Sequence, residues 1–208
     1  MISNIPASGN IAFRKNPRRT PGFAWHLRNS LRPSFWLGWL AVIAARWLTK
    51  LTGIPTITSQ LEAYHTRNGV RTYFGVVSRR VVTNAGVAFL VDAWQNLTEL
   101  ENMKYHGVGT GATAEAAADT ALVTESTTAL APDSTRATGT QTEPAANQLR
   151  STATVNFDAS AAITEHGLFS QAATGGGTLF DRSVFSAINV ISGDSITFEY
   201  TVTFSSGG

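Results

Sequence analysis

ITFEYTVTF, residues 196–204, alternates large apolar and polar side chains without a break. Ile196, Phe198, Tyr200, Val202 and Phe204 fall on one side; Thr197, Glu199, Thr201 and Thr203 fall on the other. Successive side chains of a strand point to opposite faces, so this pattern predicts a strand with one buried and one wet face. LRSTATVNFD, residues 149–158, repeats it: Leu149, Ser151, Ala153, Val155 and Phe157 alternate with Arg150, Thr152, Thr154, Asn156 and Asp158. Residues 162–170 and 178–185 read as two more strands, separated by Gly175-Gly176-Gly177. Residues 188–192 lead through a Gly193-Asp194 turn back to the first stretch. Short strands punctuated by glycine and aspartate predict a mainly β fold, an antiparallel β-sandwich or jelly-roll-like body.

Upstream, residues 83–125 carry a helix signal. Thr83 or Asn84 can accept a backbone N–H and cap a helix over 84–95. Val87, Leu90, Val91 and Trp94 recur at helical spacing and are expected to face the body, with Asn96 as the stop. Met103 to Val108 reads as a strand, and Gly109-Thr110-Gly111 as a turn that uses the positive φ open to glycine. Asp119 to Glu125 is expected as a short helix, and residues 126–146 as a long exposed loop with room for one short strand. Residues 71–78 fit a strand, and the body is set at 71–208.

The amino-terminal part has a different composition. Residues 1–82 hold twelve bases and one acid, whereas residues 83–208 hold four bases and thirteen acids. Such asymmetry marks a basic arm that docks on acidic protein, nucleic acid, anionic lipid or the body of a neighbouring copy. Pro6, Pro17, Pro21 and Pro33 argue against one continuous helix, so residues 1–33 read as extended. SFWLGWLAVIAARWLTKL, residues 34–51, is a short apolar helix with Ser34 as its cap. Trp36, Leu40, Ile43, Trp47 and Leu51 form one stripe; Leu37, Ala41, Ala44 and Leu48 form a second. A helix apolar on most sides is buried in protein or lipid. Its uncharged run, Pro33 to Ala45, falls short of the ~20 residues that span a bilayer. The arm is therefore set at 1–58, joined to the body by a linker at 59–70 that ends in the Arg67-Asn68-Gly69 turn signal.

Signals for chemistry are absent. The chain has no cysteine, and His26, His65, His106 and His166 form neither an HxH nor an HExxH pattern. Gly107-Val108-Gly109-Thr110-Gly111 lacks the GK[ST] ending of a phosphate-binding loop. Glu165 and His166 are adjacent in a strand and point to opposite faces, which suits ordinary strand residues better than a catalytic pair. The expectation is a non-enzyme with no cofactor and no metal.

The order of motifs carries a further indication. TNAG at 83–86, GVGTG at 107–111, DTAL at 119–122, ITEHGLF at 163–169 and LFDRSVF at 179–185 resemble a group of tailed-bacteriophage virion structural proteins, over roughly residues 80–205. The resemblance implies a virion protein assembled in the host bacterial cytoplasm. The expected role is a head decoration or cement protein whose arm binds the major capsid protein and neighbouring copies of itself. Arg14, Lys15, Arg18, Arg19, Arg28 and Arg32 are the candidate arm contacts, and Trp36, Leu40, Ile43 and Trp47 the candidate anchor. A tail, neck or fibre-base position is the alternative. An internal DNA-contacting role would use the same bases, with Phe13, Phe23 and Trp25 for stacking. A membrane-associated role would use residues 35–48, without a stable span.

Overall fold

The computed structural model describes residues 19–79 and 82–206. Two antiparallel sheets pack face to face. Strands β1 (Thr56–Arg67), β2 (Val70–Ser78), β5 (Thr140–Ala145), β6 (Gln148–Asn156) and β9 (Ser195–Ser205) form the first, in the order β2-β1-β9-β6-β5. Strands β3 (Tyr105–Gly109), β4 (Ala137–Thr138), β7 (Ala161–Phe169) and β8 (Leu179–Val190) form the second, in the order β4-β3-β7-β8. The chain is thus the mainly β sandwich that the alternating stretches predict.

β9 is the middle of the first sheet. Phe198 lies opposite Ala63 of β1 and Ala153 of β6, and Tyr200 lies opposite Leu61 and Ser151. Ile196, Phe198, Tyr200 and Val202 are buried against Ile163, Phe185 and Ile188 of the other sheet, as the alternation requires. Phe204, at the end of the strand, is exposed.

Several expectations are corrected. Residues 59–70 are no linker: β1 runs through them and pairs with both β9 and β2. Its inward positions are Ser59, Leu61 and Ala63, of which only Leu61 is a large apolar residue, too few to announce a core strand. Ser59 is buried because its hydroxyl donates to Asp181, 2.9 Å away. The Asn68-Gly69 turn does form, with φ of 50° and 74°, the hairpin geometry such a pair favours. Residues 119–125 form no helix. The 126–146 segment contains both β4 and β5, and the chain from 110 to 136 lies across the second sheet, where Leu122, Leu130 and Arg136 are buried.

Among the described residues, three α-helices complete the fold: α1 (Phe23–Ser30), α2 (Pro33–Thr52) and α3 (Asn84–Trp94). α1 corrects the extended reading of that part of the arm. α2 begins at Pro33, with Arg32 in the cap position in place of Ser34, because proline suits the first helical position. Gly53 closes it with φ 71°. Thr83 caps α3 by accepting the Gly86 N–H at 2.9 Å. α3 buries an unexpected side. Gly86 and Phe89 face the body, while Val87, Val91 and Trp94 face outward. A Cβ on Gly86 would lie 2.5 Å from the Phe180 carbonyl oxygen, so glycine alone lets this helix rest on β8.

Candidate interaction surface

The motifs at the centre of the chain hold the molecule together. The Glu165 carboxylate is buried and accepts N–H groups from Gly111 (3.0 Å), Thr124 (2.8 Å) and Val123 (3.1 Å). Arg182, equally buried, donates to Glu165 at 2.9 Å and to Asp119 at 3.0 Å. Arg136 donates to Glu125 at 2.6 Å and lies over the Phe169 ring, 3.5 Å from its centroid. These charges are tolerable because each finds an opposite charge and further hydrogen bonds. Gly109 and Gly111 have no positive φ, which corrects the turn reading; a Cβ on either would collide with the Glu165 carboxylate. Their role is close approach.

A second buried group contains His106, His166 and Ser151. His106 Nδ1 lies 2.9 Å from His166 Nε2, and His106 Nε2 lies 2.8 Å from Ser151 Oγ. His166 Nδ1 has no partner. The tautomers that leave no buried N–H unpaired have His166 Nε2–H donating to His106 Nδ1, and His106 Nε2–H donating to Ser151. His106 then has no lone pair with which to take the Ser151 proton, so the trio lacks the base that a serine nucleophile needs. Burial lowers His106 to about 3, and burial with the neighbouring His106 lowers His166 as well. Both are neutral core residues. Asp181 is buried too, and burial raises it to about 6, against the hydrogen bonds from Ser59 and Ser183. Asp194 is held below the usual carboxylate range, chiefly by Arg67, whose Nη2 donates at 2.6 Å. Among the described residues, no group of three or more His, Asp or Glu is placed to hold a metal ion.

The exposed large apolar side chains lie largely on the helices and the chain just after α3. α1 and the turn into α2 are fixed to the body by Trp25, Asn29 and Arg32. Trp25 Nε1 donates to the Ser186 and Ala187 carbonyls at 3.2 and 3.1 Å, and its ring packs edge-on against Phe74. Asn29 bridges two strands, donating to the Val77 carbonyl at 3.3 Å and accepting the Ser186 N–H at 3.0 Å. Arg32 donates to the Phe185 carbonyl at 3.0 Å. Trp25 and Arg32 therefore tie the arm down. Trp25 is a correction to the stacking reading, and Arg32 has a structural duty alongside its expected role as a partner contact.

α2 rests on the body by its smallest residues. Gly38 and Thr49 are buried, and Val42 and Ala45 between them are half-buried. A Cβ on Gly38 would strike the Arg79 carbonyl oxygen. Thr49 Oγ1 meets Thr56 Oγ1 at 2.9 Å. Trp36, Leu37, Leu40, Trp47, Leu48 and Leu51 consequently point away from the body. Of the candidate anchor residues, Trp36, Leu40 and Trp47 are exposed and Ile43 is half-buried. Trp36 is steadied by its indole N–H, which donates to the Ser30 carbonyl at 2.6 Å. Among the candidate arm bases, Arg19 and Arg28 are exposed. The Arg19 carbonyl accepts the Tyr73 N–H at 2.8 Å, which places the start of the described chain on the β2 edge. Arg14, Lys15 and Arg18 lie outside the described residues. No helix among the described residues is long and apolar enough to cross a membrane.

A scan against protein-family models finds no match to the chain, and searches of curated proteins and of solved structures find none either.

Proposed function

We propose that this protein is a structural component of a bacteriophage virion, a head decoration or cement protein that docks through its basic amino-terminal segment and α2. One observation carries the reading. A 20-residue helix sets Gly38, Ala45 and Thr49 toward the body and turns its tryptophans and leucines outward. Contiguous apolar surface of this size on a soluble body marks a docking site. The sandwich behind it is a rigid platform, because its buried ion pairs bolt the long 110–136 segment onto the second sheet. The order of the TNAG, GVGTG, DTAL and ITEHGLF segments supports a virion setting, through the resemblance stated above. The exposed Arg19 and Arg28, with no acid between residues 19 and 61, suit an acidic partner and set its orientation and on-rate more than its affinity.

The test is binding of the purified protein to empty, expanded shells, which present the lattice without the genome. Binding equal to that on full particles, with a copy number that scales with the lattice, is the expected result. Binding to DNA-filled particles alone, or retention on naked DNA at physiological salt, would overturn the reading in favour of an internal role. If the bases met phosphates, affinity for DNA would fall with salt at a log–log slope of about −0.9 per phosphate neutralised. A copy number of a few per particle would move the protein to the tail or neck.

A further inference from the structure

α2 has a counterpart on the same molecule. α3 also docks by a glycine and also turns its bulky residues outward: Val87, Val91 and Trp94, followed by Leu97 and Leu100, are all exposed. Leu100 borders an open groove of about 760 Å³, whose apolar walls include Leu90, Leu149 and Phe204. This gives an indole ring a concave seat beside the ridge. The two helical surfaces carry opposite charge. α2 displays Arg46 and Lys50 among its outward apolar residues, and residues 19–61 hold no acid. The α3 ridge displays Asp92, Glu99 and Glu101, and residues 83–103 hold no base.

We infer that α2 of one copy packs on the α3 ridge of a second copy of this chain. The inference rests on the reading of α2 as a docking element and names the partner that covers it.

Area supports a stable contact. Half-exposed tryptophans and leucines leave on the order of 100 Å² each, which gives roughly 700 Å² on α2 and roughly 500 Å² on the ridge. One α2–ridge contact then reaches about 1,200 Å², the lower end for a specific interface, and a reciprocal pair about twice that. The charges flank the apolar stripes, where they choose the partner. α2 against α2 would set Arg46 and Lys50 against their own copies, and ridge against ridge would set three acids against three. Only the mixed pairing satisfies both surfaces. Such a pairing closes into a two-fold dimer if reciprocal and into a ring or chain if sequential.

The absence of native cysteine makes the test direct. Two full-length variants, Leu48→Cys and Val91→Cys, are oxidised singly and as a mixture. The mixture is expected to yield the mixed disulfide at about ten times the level of either like-with-like product, as the charge argument requires. In sedimentation, Asp92→Lys with Glu99→Lys and Glu101→Lys should weaken self-association about tenfold. Addition of the Arg46→Glu, Lys50→Glu chain should restore it. All the substituted positions are exposed, and matching thermal melts establish that the variants fold.

A protein that stays monomeric across the concentration range, or cross-links that form only like with like, would overturn the pairing. So would a monomer that binds vesicles of neutral and anionic phospholipid through Trp36 and Trp47, which would assign α2 to a membrane surface. A monomer that still binds empty shells would sink the pairing and leave the decoration reading standing. A paired protein that ignores shells would do the reverse.

Discussion

The sandwich and the helices that flank it solve opposite problems. Inside the sandwich, Arg136 and Arg182 are each 2% exposed, and Glu165 and Asp181 are fully buried. On α2, Trp47 is 62% exposed and Leu51 78%. The body hides its charges and satisfies them internally. The helix shows its apolar groups and leaves them to be covered from outside. Burial of apolar surface contributes roughly 25 cal/mol per Å², so the exposed face of α2 adds little to folding and, on the proposed reading, is available for association. Stability and attachment should therefore respond to different residues.

The largest effect should come from Arg182. Arg182→Ala would leave Glu165 fully buried without its counter-charge, and breaking a buried pair this way costs about 3–5 kcal/mol. Urea unfolding should show that loss, and Glu165→Gln added to it should recover part. A change below about 1 kcal/mol would mean that the Gly111, Val123 and Thr124 N–H groups alone hold the carboxylate, and that the contrast between body and helix is weaker than drawn.

The next effect is a pH dependence in which two core groups oppose each other. His106 and His166 have folded values below the ordinary 6.5, so their contribution is complete above that pH and is lost as pH falls below it. Asp181 has a folded value of about 6 against 3.8, so its contribution is complete below 3.8 and is lost as pH rises through 6. Between pH 4 and 6 the unfolded chain takes up two protons on the histidines while the folded chain keeps one on Asp181. The net effect is a loss of stability on acidification, with the slope of about one proton. Asp181→Asn should steepen the fall towards about twice that slope. Asp194, depressed by Arg67, adds a further loss only as pH drops below its ordinary value. A stability curve that stays flat from pH 6.5 to 4 would show that the histidine pair is not kept neutral by the core.

The smallest effect on folding should come from the most conspicuous residues. Trp36→Ala with Trp47→Ala should move the unfolding free energy of the dilute, monomeric protein by no more than about 0.5 kcal/mol, as substitutions at exposed positions do. The same pair should abolish most particle attachment. A loss of several kcal/mol in the melt would show that these indoles serve the fold after all.

Much of the fold was legible because strand alternation is a local property. The patterns in 149–157 and 196–204 needed no partner to be read, and the Thr83 cap and the Asn68-Gly69 turn are likewise short-range. β1 was not legible, since its inward Ser59 earns burial only through Asp181, 122 residues away. Gly109 and Gly111 were legible as special and misread as to cause, because the Glu165 carboxylate that crowds them arrives from a strand distant in sequence.

By itself, then, the sequence determined the alternating strands at 149–157 and 196–204, the ends of α2 and α3 to within a residue, and the division into a basic and an acidic part. Tertiary structure alone decided which way the helices face. α2 is apolar on nearly every side, and α3 has glycine and phenylalanine on one side and valine and tryptophan on the other. Periodicity therefore offers each helix more than one inward face. The choice falls to the face that a backbone can approach: at Gly38 the Arg79 carbonyl, and at Gly86 the Phe180 carbonyl, occupy the space any larger side chain would need. The bulky residues turn outward for that reason.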